Sequence, residues 1–160
     1  MTDSRIEARL AELGVELPSL AAPVAAYVPA VTSGNYVYTS GQLPFIDGQL
    51  PEAGKVSSSG QADYVTPEKA KEYARQSALN ALAAVKSLIG NLDRVQRIVK
   101  VVGFVASEVT FTGQPQVING ASELLGEVFG DAGQHARSAV GVPVLPLDSP
   151  VEVEIIVEYA

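Results

Sequence analysis

Apolar and polar residues recur along this chain on two different periods, and the switches between them mark out the elements. In "VEVEIIVEY" (151–159) the period is two: Val151, Val153, Ile155, Val157 and Tyr159 fall on one side, and Glu152, Glu154, Ile156 and Glu158 on the other, the mark of a half-buried strand. From residue 66 it lengthens to that of a helix. Thr66 stands as a cap, Pro67 takes the first helical position, and Ala70, Tyr73, Ala74, Ala78, Ala81, Leu82, Val85 and Ile89 form one apolar stripe that stops at Gly90. A second stripe, Val117, Ala121, Leu124, Leu125 and Val128, predicts a helix from about Pro115 to Phe129 with Gly130 as its end. Ile6, Leu10 and Leu13 before Gly14 predict a short N-terminal helix, and Pro18 and Pro23 an irregular tether after it.

Further strands follow from composition and turn signals. "AYVPAVTSGNYVYTSGQLP" (26–44) reads as a hairpin joined at Ser33-Gly34-Asn35, with Tyr36 and Tyr38 on one face and Val37 on the other. "RIVKVVGFVAS" (97–107) is β-branched and apolar on both faces, which predicts a central strand, and "ARSAVGV" (136–142) predicts another. Residues 45–65, rich in Gly, Ser and Asp, predict a long surface loop with little structure. Paired strands between long helices predict an α+β fold, a mixed sheet with two helices on one face. The other face is left uncovered, and an apolar face of that size predicts a homo-oligomer.

Composition narrows the function classes. At 160 residues and 47% hydrophobic the chain fills one core, so a single domain spanning 1–160 is expected, with 1–22 as its N-terminal helix and tether. It has no apolar run of membrane-spanning length, and "MTDSRIEARLAELG" is too polar for a secretory signal, so a cytoplasmic protein with no membrane partner is expected. Without cysteine there is no disulfide or thiolate chemistry, and one histidine among scattered carboxylates shows no metal-ligand spacing. A net charge of -7 and the lack of a basic stripe argue against a nucleic-acid partner, and with it against ribonuclease activity, but leave room for a small anion in a local pocket.

The chemistry gathers near the C-terminus, where the only histidine, His135, stands two residues before Arg137. Arg137 has two readings on its residues alone. It could pair with a glutamate across the ladder, for about 0.2 to 1 kcal/mol, or face the local pocket that the charge balance leaves open to a small anion.

The stretches "YVYTSGQLP", "VINGASELLGEVFG" and "HARSAVGVPVLPLDSPVEVEIIVE", in that order and spacing, resemble the RidA family, also called YjgF or reactive intermediate deaminase, from about Pro23 to the C-terminus. The resemblance implies a chorismate-mutase-like fold, assembled as a homotrimer around a β-barrel with ligand clefts between subunits. It implies a cofactor-free 2-imino acid/enamine deaminase that yields 2-keto acids and ammonia. By the same resemblance Arg137 binds the substrate carboxylate and Glu152 positions or activates water. Tyr27, Ser40, Gly41 and Asn119 line the cleft. Ordinary readings stay open beside these: a strand aromatic for Tyr27, a turn for Ser40 and Gly41, a backbone cap for Asn119, and a loop histidine bonded to backbone for His135. A non-catalytic trimer that binds or senses small carboxylates would need the same arginine. The chain departs from the family pattern at Ala139, where many active deaminases carry cysteine, at Pro29, where glutamine is common, and at His135, where proline is often found.

Overall fold

The computed structural model describes residues 4–20 and 26–160; the end of the expected tether, residues 21 and 22, and Pro23 lie outside them. Three helices, α1 (Arg5–Glu12), α2 (Pro67–Ile89) and α3 (Gln114–Phe129), accompany five strands, β1 (Ala30–Ser33), β2 (Tyr36–Thr39), β3 (Val95–Ala106), β4 (Ala136–Val142) and β5 (Val151–Tyr159). The fold is α+β. The strands form one mixed sheet in the order β1-β2-β5-β3-β4, antiparallel throughout except for the β3–β4 pair.

Local chemistry sets the helix bounds. The Thr66 hydroxyl accepts from the Lys69 N–H at 3.3 Å, Pro67 starts α2, and Gly90 ends it at φ 82°, a conformation that a side chain would strain. The expected stripe of α2 is buried apart from half-buried Tyr73, and all five inward positions expected for α3 are buried. Both helices pack on the same face of the sheet. At their crossing Gly120 lies so close to α2 that a Cβ would overlap the Lys71 carbonyl oxygen. The helix α1 docks through Ile6 and Leu10, and its first N–H groups donate to Asp93 at 2.8 and 2.9 Å. Burial works against ionisation of Asp93, yet those bonds, the Ser4 hydroxyl and Arg5 outweigh it and hold the carboxyl below its ordinary range.

β3 pairs on both edges, with β5 and β4, so it is an interior strand as expected, while β5 takes the middle place of the five. Two expectations need correcting. The hairpin closes through Gly34 and Asn35 alone, since Ser33 already pairs with Tyr36; Gly34, at φ 58°, supplies the positive φ that a two-residue loop needs. Residues 45–65 are not a bare surface loop. Val56 and Val65 are fully buried there, and Val56 joins the sheet end by donating to the Ala106 carbonyl at 2.7 Å and accepting from Glu108 N–H at 3.1 Å.

The sheet face away from the helices carries Val31, Tyr38, Ile156, Val102, Phe104 and Val140, all exposed or half-buried, beside Lys100 and Glu154. No helix among the described residues is long and apolar enough to cross a membrane.

Candidate functional site

Arg137 is the second residue of β4, an edge strand, and pairs with Val101 of β3. Val101 is fully buried under the helices, so Arg137 faces the same way. Its Nη1 donates to Asn119 Oδ1 at 2.7 Å and to Ser122 Oγ at 3.2 Å. These two residues, three apart on α3, present their side chains to β4 from one face of that helix. Of the two residue-level readings of Arg137, the glutamate pair is not formed: β4 borders only β3, which stands between it and the glutamates of β5. Nor is Asn119 a backbone cap, because the N-cap of α3 is Gly113, with no side-chain cap bond, and the Asn119 oxygen serves Arg137.

His135 completes this group. Its Nδ1 lies 2.6 Å from the Gly133 carbonyl oxygen and its Nε2 lies 2.8 Å from Ser122 Oγ. Hence it is bonded to backbone, as one reading held, and also linked to Arg137 through a serine that the sequence reading passed over. The signal was present: Ser122 is three residues beyond Asn119 on a helix, hence on the same face.

A second group forms where β2 ends. The Ser40 hydroxyl donates to the Val28 carbonyl at 2.6 Å and its N–H to that of Pro29 at 2.8 Å, which ties down the segment bearing Tyr27, 63% exposed. Gly41 lies against the Glu152 side chain, where a Cβ would stand 2.6 Å from the carboxyl carbon, so only glycine lets the two meet. Gln42 and Val153 exchange backbone bonds at 2.8 and 3.0 Å, which brings this strand end alongside β5. Glu152 is half-buried, and no donor among the described residues reaches its carboxylate. Its pKa is raised, first by burial and then by Glu154 on the same face.

The expected residues are thus brought together in two groups, not one. Arg137 pairs at the level of Val101 on the helix face, whereas Glu152 pairs with Phe104 on the open face. Three residues along β3 separate the levels, roughly 10 Å, with the sheet between. Arg137 accordingly has no part in setting the Glu152 pKa. Two cavities among the described residues lie away from both side chains. The larger cavity, about 660 Å³, lies between α1 and the end of α3 around Arg5, Arg9 and Phe129, and the smaller, about 180 Å³, lies on the open face around Tyr38, Lys100 and Glu154. Among the described residues no cluster of three acidic or histidine side chains could hold a metal ion.

Residues 7–159 match the YjgF/chorismate-mutase-like endoribonuclease family. The chain is similar to Protein TCP17 of Trypanosoma cruzi, 42% identical over 159 residues, 99% of this chain and 96% of that protein. Among solved structures it is similar to the protein Atu1372 of Agrobacterium tumefaciens, 45% identical with a TM-score of 0.87, over 97% of this chain and 93% of that one. It is also similar to RidA of an Antarctic Psychrobacter, 28% identical with a TM-score of 0.57, over 86% and 91%.

Proposed function

The chain belongs to the YjgF/chorismate-mutase-like family, and on that premise we propose that it is a 2-imino acid/enamine deaminase acting as a homotrimer. Each cleft takes Arg137 and Asn119 from one copy and Tyr27, Ser40, Gly41 and Glu152 from the next. One observation carries this reading: a half-buried arginine is held by neutral oxygens alone, so its charge stays unspent in the single chain. The unpartnered, partly desolvated Glu152 is its counterpart, and the apolar open face supports association.

In such a cleft the guanidinium takes the substrate carboxylate, fixes the C=N carbon in place and keeps the anionic end stabilised throughout. Glu152 accepts a proton from water as the oxygen bonds to that carbon. From a protonated imine this gives a carbinolamine; the proton passes to its nitrogen, the hydroxyl proton goes to Glu152 as the C–N bond breaks, and ammonia and a 2-keto acid leave. A raised Glu152 pKa suits this exchange, because it makes the carboxylate a stronger base toward water than an ordinary glutamate. No step calls for a cofactor.

A second reading, a non-catalytic trimer that binds or senses small carboxylates, draws on Glu152 itself, since no hydrogen bond from the described residues aims its carboxylate. The two part in one experiment: imino acids generated in situ by an amino-acid oxidase, with semicarbazide competing as a trap. Suppressed trapping by wild type but not by Arg137→Ala supports the deaminase. Saturable keto-acid binding without turnover supports the sensor.

A further inference from the structure

We propose that His135 and Ser122 form a prop with a fixed proton direction that aims the Arg137 guanidinium, so that the imidazole acts on the ligand only through Ser122. This rests on Arg137 being the carboxylate anchor.

The hydrogen-bond directions follow from which groups can donate. A carbonyl oxygen only accepts, so His135 Nδ1, 2.6 Å from Gly133 O, carries the ring proton. Nε2 of the neutral ring is then bare, and at 2.8 Å it accepts the Ser122 hydroxyl proton. The serine oxygen, having given its proton away, accepts from Arg137 Nη1 at 3.2 Å. Every proton therefore points from Arg137 through Ser122 and His135 toward Gly133. An imidazolium would reverse the middle link, set two cationic donors on one serine oxygen and leave its hydroxyl proton without an acceptor there.

The far end of the prop is rigid. Gly133 is buried so tightly that a Cβ would overlap the Leu125 carbonyl oxygen, and the short 3-10 turn Gly130–Gly133 holds it against the end of α3. At the near end Asn119 Oδ1 and Ser122 Oγ between them occupy both hydrogens of Nη1, which fixes the plane of the guanidinium. Three N–H groups remain, on Nε and Nη2, and they form the edge that takes a carboxylate bidentately. The prop thus dictates which edge of the arginine the ligand meets. His135 and Ser122 are positioning residues that need no contact with the ligand.

Because the chain has one histidine, the ring can be observed without assignment. In ¹⁵N NMR at neutral pH a protonated Nδ1 and a bare Nε2 are expected, with Ser122→Ala moving chiefly the Nε2 signal. A proton on Nε2, or a doubly protonated ring, would overturn the prop. In titrations with 2-oxobutanoate, Ser122→Ala and His135→Ala should each weaken binding about tenfold, and the double variant no more than either alone. His135→Gln, whose side-chain oxygen can accept from Ser122, should recover most of the loss. Additive losses, or unchanged affinity in both single variants, would also overturn it. If wild type binds no 2-keto acid, the anchor reading fails, and the ring spectrum still decides the prop.

Discussion

The two groups of polar residues are built on opposite electrostatic plans. Around Arg137 a permanent cation is saturated on one nitrogen by neutral oxygens, which fixes its direction without reducing its charge. Around Glu152 a carboxylate lies against a bare glycine, with no donor to aim it and a second carboxylate nearby to raise its pKa. One group is ordered and cationic; the other is loosely held and easily protonated. Each lacks what the other holds, which is the arrangement that the proposed cleft between copies requires.

The sharpest way to break the contrast is Arg137→Ala. It should abolish carboxylate binding, a loss of a hundredfold or more, equivalent to about 3 kcal/mol, while size-exclusion chromatography still reports the assembly. Retained binding in a titration would remove the cation from the site. Glu152→Gln should lower turnover roughly a hundredfold and leave ligand affinity within about threefold, as expected for a proton carrier that does not anchor. An unchanged turnover number would take Glu152 out of the mechanism. Asn119→Asp places a carboxylate against Arg137 and spends the charge within the chain, so ligand binding should fall about tenfold while the melting temperature rises. Equal or tighter binding would contradict the neutral-support plan. The smallest effect concerns pH: a base with a raised pKa is inactive while protonated, so activity should rise with pH through a limb above 4.5. Glu154→Gln should move that limb toward lower pH, because it removes the charge that opposes Glu152 ionisation.

The helices and the final strand were legible because their signals are local. Leu82 and Leu124 declare an inward face through spacing alone, and Val153 does so through alternation. The place of β5 at the sheet centre and the burial of Val56 were not legible, since both depend on partners distant in sequence, such as the bond from Val56 N–H to the Ala106 carbonyl. Arg137 was singled out, but from the residues alone its partner stayed open between a strand glutamate and a small anion. Asn119 entered through the family resemblance, and Ser122 escaped although it stands three residues beyond Asn119 on one helix, because that spacing gains a meaning only once the strand opposite is known. That Arg137 and Glu152 face opposite ways is hidden as well: both sit on strands of clear periodicity, but the face of each relative to the other depends on the pairing of both with β3.

That opposition has a consequence for genetics. If a working cleft draws Arg137 from one chain and Glu152 from another, an allele lacking the arginine and an allele lacking the glutamate are each null alone. Expressed together, they should rescue each other, with roughly one cleft in four assembled from two intact halves when chains mix at random. Mixed chains would then be active where neither variant is active by itself.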